Sequence, residues 1–572
     1  MLYTQEKITK KPRKYFTEDL DVIDWKIVER EFKGILEQEI SSADDLVKMM
    51  EKFSELMNII GEENAWRYIR MTRFADKNEY REAYNDFLSN IVLRSEPYQM
   101  KIAKRFYESP YRSQLDSERY ENLDRIIANK IEMFKEENLP LKAREAKLAS
   151  KYGAIIGSIT VKFKGEEKTL QQLGAYQLDP DRNTRENSWR LRMQKILEHS
   201  VELDKLFDDL KEIRVQQAKN AGFDNYRDYK HKEKGRFAYT PDELFEFHES
   251  VEKVVVPFVT ELNEKKRNKL NLDSLRPWDT SVDPDGKVLK PFKTIDEFVE
   301  KAIRILYKVK PEFGVNLNKM CNSGLLDLEN RKGKAPGGYN YSLAETGAPF
   351  IFMNAVGTED NVRTILHESG HAMHSFAMAN EPIHFYRRPP MEASELASMS
   401  MELLTLDHWD EYFPNEEEYI HAKRRELEGT VKFLPWCMIV DAFQHWIYTN
   451  PEHTPEERTE YFKKLMDRFN TGVDWSDLDK EKGVVWMQQL HIFTSPFYYI
   501  EYGIAQLGAI AIYRNYRRKG KRAIEDYEKF LKLGYSKPLE ELYKTAGIKF
   551  DFSQDYIGEL VEFIEEELKQ LS

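Results

Sequence analysis

Cysteine is nearly absent: the 572-residue chain holds two, Cys321 and Cys437. Two cysteines so far apart build no disulfide framework, which points to a reducing compartment and an expected cytoplasmic location. No apolar run approaches the roughly 18 residues that span a bilayer. The opening "MLYTQEKITKKPRKYF" lacks the apolar stretch of a secretory leader. Concentrated positive charge is missing too. The formal net charge is −12, with acids and bases interspersed. Phosphate binding needs a basic face, so neither nucleic acid nor membrane is an expected partner. The basic runs at 10–14 and 516–522 read as solvated turns. No repeat or low-complexity segment occurs.

Apolar residues at helical spacing, in contrast, are plentiful. Hydrophobic residues make up 41% of the chain and charged ones 33%, which suits a sizeable core under a solvated surface. In "DDLVKMMEKFSELMNII" (44–60), Leu46, Met49, Met50, Phe53, Leu56 and Met57 recur every three or four positions. This predicts an amphipathic helix whose methionines fill the core. Over 157–170 the period falls to two. Ile159, Val161 and Phe163 alternate with polar residues before Lys164-Gly165, predicting a hairpin. Helical patterning resumes near 181 and continues past 230. Thr240-Pro241-Asp242-Glu243 and Thr454-Pro455-Glu456-Glu457 each join a Thr cap, a first-turn Pro and a Glu at the third position. Residues 270–293 and 333–357 read as non-helical, and the second island contains the strand candidate "PFIFMNA". The fold class is mainly α with a small β-sheet.

Histidine is also scarce, at 12 residues, yet "ILHESGHAMH" (365–374) holds three of them. Thr358 is a cap candidate for a helix starting here, with Glu359 and Asp360 in its first turn. Val362, Ile365, Leu366, Met373 and Phe376 share one face. His367 and His371, four apart, lie one above the other, where two imidazoles suit one Zn²⁺ and Glu368 suits a general base. At this composition such an H-E-x-x-H pentamer arises by chance in roughly one chain in forty, so context must carry part of the argument. The metzincin continuation fails, because His374 stands at its glycine position and Ala377 at its third histidine. A carboxylate from the next helix is the alternative third ligand. "MEASELASMSMELLTLDHW" (391–409) offers Glu392, Glu395 and Glu402, and spacing leaves the three open.

"HESGHAMHS", followed 28 residues later by "ELASMSME", resembles the thimet-oligopeptidase and oligoendopeptidase F family of zinc metallopeptidases. "LDPDRNTRENSWR" (178–190) is similar to the oligoendopeptidase F branch, and "HIFTSPFYYIEYGIAQLGA" (491–509) to the family's His/Tyr segment. Here "IFTSPF" is apolar with a proline where thimet-type members are glycine-rich. The resemblance implies Glu395 as third ligand, one Zn²⁺ per chain, and a catalytic water deprotonated by Glu368. It implies His491, Tyr499 and Tyr502 as donors to the tetrahedral oxyanion, with Tyr498 as a spare candidate. His374 is left to hydrogen bonding behind the metal or to packing.

The resemblance also implies two helical domains enclosing a deep channel, read here as an N-terminal domain over 1–190 and a catalytic domain over 191–572. Beside the zinc, an exposed edge of the "PFIFMNA" strand would pair with substrate backbone. The expected function is a zinc endopeptidase acting inside short unfolded oligopeptides. A metallocarboxypeptidase using Arg387-Arg388 to hold a terminal carboxylate is the nearest rival. A non-catalytic peptide-binding protein is a second, against which Glu368 argues, since a structural metal site needs no base.

Overall fold

The stripe over 44–60 lies in a helix running Ala43–Arg73, which starts where Ser42 Oγ accepts from the Asp45 amide. Its Leu46, Met49, Met50, Phe53, Leu56 and Met57 are all buried. Each such side chain contributes about 1.5–3 kcal/mol when taken from water. The computed structural model describes residues 5–287 and 289–571. Helices dominate them, and two small sheets complete a mainly α fold. Among the described residues no helix is long and apolar enough to cross a membrane.

The chain forms two compact units, each assembled from three stretches. The first comprises Met1–Glu132, Leu289–Lys423 and Gly508–Phe550; the second comprises Met133–Val288, Arg424–Leu507 and Asp551–Ser572. A linear division at 190/191 would instead cut the helix Arg182–Glu198, inside the second unit. Two of the unit boundaries fall within the helices Glu416–Thr449 and Tyr499–Lys519. Uninterrupted helical pattern there leaves no linker composition to mark them.

In the second unit the predicted hairpin pairs β1 (Thr160–Phe163) with β2 (Glu166–Thr169), antiparallel. Lys164 and Gly165 both take positive φ, 51° and 85°, as a two-residue turn requires. The segment resuming at 181 is three helices, Arg182–Glu198, Ser200–Asn220 and Tyr226–Glu233. Both Thr-Pro-x-Glu stretches form capping boxes, at Thr240 and at Thr454. The loop after residue 270 is fastened by Asp279, fully buried, which accepts from Arg185 Nη2 and Arg182 Nη2 at 2.8 Å each.

In the first unit, β3 (Leu326–Glu329), β4 (Tyr339–Leu343) and β5 (Ala348–Ala355) form a sheet in the order β3-β5-β4. "PFIFMNA" lies in β5, the central strand, parallel to β3 and antiparallel to β4. Both its edges are taken, so the outer edges of the sheet belong to β3 and β4 instead. The apolar run that made β5 legible is the signature of a strand covered on both faces, and such strands sit centrally. The basic run at 10–14 is solvated at every position but Arg13, and it is tied down by acids. Arg13 and Lys10 pair with Glu345 at 2.7 and 3.0 Å, and Glu55 accepts from the amides of Lys14, Tyr15 and Phe16.

Candidate active site

The island 333–357 ends at Thr358, and the histidine cluster follows on a helix, Glu359–Ala377. Asn361 Oδ1 accepts from the amides of Thr358 and Val356 at 3.1 and 2.8 Å, closing the first turn. Val362, Ile365, Leu366 and Met373 are buried, and Phe376 is half-buried. This apolar face turns the 367/371 face toward the helix Met391–Leu404. The two helices pack closely at Gly370, where a Cβ would stand 2.5 Å from the carbonyl oxygen of Ala397 and 2.6 Å from Ser398 Cα. That closeness brings imidazoles and carboxylates together.

His367, His371 and Glu395 each place one ligand atom within 4.8 Å of the others. Glu395 Oε2 lies 3.4 Å from His367 Nε2 and 3.6 Å from His371 Nε2. Ser398 Oγ donates to the same carboxylate oxygen at 3.0 Å, orienting it. Glu402, one of the three acids left open by spacing, sits behind His367, with Oε1 2.5 Å from Nδ1. That contact directs the opposite nitrogen, Nε2, toward Glu395, a frequent arrangement behind a metal-binding imidazole. Glu392 is buried but lies outside the group.

Burial disfavours charge on His367, yet the hydrogen bonds it donates to Glu395 and Glu402 outweigh it and hold the imidazolium well above the ordinary value. Burial pulls His371 down to about 4 and pushes the Glu368 carboxyl up to about 7. Glu368 Oε2 is buried with no hydrogen-bond partner. The helix backbone at this residue is tied to the sheet, because Asn340 Nδ2 of β4 donates to the Glu368 carbonyl at 3.1 Å. Two imidazole nitrogens, one carboxylate oxygen and an orphaned acid beside them fit a Zn²⁺ ion with one exchangeable position. His374 is fully buried against Phe530 at 5.5 Å, with its Nε2 unpartnered and burial lowering it to about 3, so it belongs to the packing.

The metal-ligand group lies in the first unit and the His/Tyr segment in the second. His491 stands on a short helix, Leu490–Thr494, and Tyr499 opens the helix Tyr499–Lys519. Ring centroids place His491 5.7 Å from Tyr498, 5.2 Å from Tyr499 and 5.9 Å from Tyr502. All four predicted side chains therefore form one cluster. Gln489 Nε2 lies 2.8 Å from His491 Nδ1.

The bend between the two helices is held from outside. Phe497 has φ 60°, strained for a residue with a side chain. Gln444 Oε1 accepts from its amide at 2.8 Å, and Arg236 donates to its carbonyl. Arg214, fully buried, donates to the carbonyls of Ile492 and Phe493. Sequence reasoning missed Gln489, which stands two residues before His491 and belongs to no motif, and Gln444 and the two arginines, which act from distant stretches. Glu402 and Ser398 did leave a signal: Glu402 shares a helix face with Glu395, and Ser398 is the Ser of E-x-x-S.

Residues 175–562 match the model of peptidase family M3, and residues 18–134 match a peptidase M3 N-terminal domain model. The chain belongs to peptidase family M3. Oligopeptidase PepF of Bacillus subtilis (strain 168) is 24% identical over 312 residues, covering 54% of this chain and 45% of the relative. An oligoendopeptidase F homolog of Borreliella burgdorferi is 28% identical over 311 residues, covering 51% and 50%. The chain thus spans about half the length of these curated M3 relatives. Over the whole fold, the solved structure of PZ peptidase A with inhibitor 2 superposes with a TM-score of 0.90 at 29% identity, covering 97% of this chain and 98% of that one. The resemblance drawn from the motifs, to the oligoendopeptidase F branch of this M3 family, holds.

Proposed function

We propose that this M3 protein is a cytoplasmic zinc endopeptidase that hydrolyses internal bonds of short unfolded oligopeptides. The observation that carries the reading is the buried, unpartnered Glu368 carboxylate beside the His367–His371–Glu395 group. His367, His371 and Glu395 would hold one Zn²⁺, which supplies Lewis acidity at this position.

Glu368 is the base. Its Oε2 takes a proton from the water that attacks the peptide carbonyl, then returns it to the leaving nitrogen. With the ion in place, Glu402 would keep the His367 proton on Nδ1 and leave Nε2 to ligate, and Ser398 orients Glu395. His491, Tyr499 and Tyr502 serve as donors to the developing oxyanion, with Tyr498 next to them. The open edge of β4, tied to the Glu368 carbonyl through Asn340, suits backbone pairing with an extended peptide and so favours affinity without strong sequence preference. Two domains enclosing a channel, as the family resemblance implies, would restrict substrates to narrow chains.

Cleavage of a mixed peptide library, mapped by mass spectrometry, tests the reading. Internal cuts are expected, still internal when the peptide C-terminus is amidated, abolished by a chelator and restored by Zn²⁺. Removal of single C-terminal residues, blocked by amidation, would make it a carboxypeptidase. Absence of cleavage by the zinc-loaded chain would leave a binding protein.

A further inference from the structure

A buried cation without a counter-charge costs stability unless something else pairs with it. On the helix Arg182–Glu198, Arg182 and Arg185 both pair with Asp279. Arg192, on the same helix, does not follow them. It is half-buried; its Nε is buried with no hydrogen-bond partner, and among the described residues no carboxylate pairs with it.

Arg192 lines a cavity of about 480 Å³ in the second unit. That volume falls within the range of about 300–1,000 Å³ usual for small-ligand sites. Three tryptophans, Trp189, Trp436 and Trp475, line it together with Ile439, Met466 and Phe469. No acidic residue lines it, although acids outnumber bases 99 to 87 in the chain. The other cation on its wall, Lys432, is paired with Glu428 at 2.5 Å. Gln489, also on the wall, accepts from Trp436 Nε1 at 3.1 Å and holds His491 Nδ1 through its amide nitrogen.

We propose that this cavity binds the C-terminal residue of a peptide, with the carboxylate on Arg192 and an apolar side chain among the tryptophans. One unpaired cation set in a large apolar wall matches a group whose charge and apolar bulk hang on a single carbon. An internal Asp or Glu brings the charge without the bulk, and an internal Phe or Leu brings the bulk without the charge. Through Gln489, occupancy of the cavity is linked to the orientation of His491. The choice of a peptide as ligand rests on the peptidase reading; the charge argument for the cavity does not.

Intrinsic tryptophan fluorescence of the full chain reads binding directly, without turnover. N-acetyl-phenylalanine, which keeps the carboxylate, is titrated against N-acetyl-phenylalaninamide, which lacks it. Saturable quenching is expected for the acid, with the amide weaker by about tenfold or more. Arg192→Gln should lose that preference, Arg192→Lys should keep part of it, and Glu368→Gln should leave it unchanged. Removing a half-buried charge that no carboxylate pairs with should also leave the melting temperature of Arg192→Gln equal or higher. Equal affinity for acid and amide, an unaltered preference in Arg192→Gln, or a lowered melting temperature showing that Arg192 is structural would each overturn the proposal. Acid-selective binding in a chain that cleaves no peptide would defeat the peptidase reading and leave the site standing.

Discussion

At the scale of single residues, the proposed chemistry separates into atoms that would hold the ion and atoms that handle protons. Glu368→Gln preserves shape and removes only the ability to accept a proton. Zinc content should stay near one per chain while kcat falls by about 10²–10⁴, measured by metal analysis alongside single-turnover cleavage. Near-normal turnover in the zinc-loaded variant would remove Glu368 as the base. Glu395 and Glu402 divide differently. Loss of a direct ligand in Glu395→Ala should nearly abolish zinc retention. Glu402→Gln, which weakens the hold on His367 Nδ1, should lower zinc affinity by about 10–100-fold, and Glu392→Ala should leave it close to normal. Competition with a chelating dye ranks the three; a large loss in the Glu392 variant would contradict the geometry. The pentamer at 367–371 was legible because ligand spacing on a helix is local. The choice among the three glutamates was not, because it depends on how two helices meet at Gly370, and nothing in residues 391–409 encodes that contact alone.

At the scale of elements, periodicity identified the helix Ala43–Arg73, the hairpin and the capped helices, each of which obeys short-range rules. Strand order failed for the same reason, since a continuous apolar run announces burial without naming neighbours, and β5 gained partners on both edges. The segment 178–190 has a structural explanation that its sequence likeness did not supply. Arg182 and Arg185 hold Asp279, which fastens the loop after residue 270 to their helix. Burial would raise the Asp279 carboxyl, but the two guanidinium groups outweigh it and keep it below its ordinary value. A depressed folded pKa means the stabilisation is fully present above the unfolded value near 3.9 and is lost as pH falls through the folded one. Asp279→Asn should therefore cost about 3–5 kcal/mol near neutral pH, because Arg185 is left buried and unpaired. Denaturant unfolding as a function of pH should show the gap to wild type closing only below about pH 4. A constant gap down to pH 2 would mean that the loss is packing and not charge.

At the scale of the whole molecule, the ligand atoms come from two helices of the first unit, Glu359–Ala377 and Met391–Leu404, and from no part of the second. Three buried acids, Glu368, Glu395 and Glu402, crowd two imidazoles there, so a cation would relieve repulsion as well as join the helices. An ion that binds only the folded state stabilises it by about 4 kcal/mol at a thousand times its Kd. That stabilisation should be local to the unit that provides the ligands. Hydrogen exchange after chelation should accelerate in these two helices while Ser200–Asn220, in the second unit, keeps its protection, and one equivalent of Zn²⁺ should reverse the change. Exchange that accelerates equally in both units would mean that the metal stabilises the chain by some route other than joining the histidine and glutamate helices. No change at all would mean that the triad is formed without it.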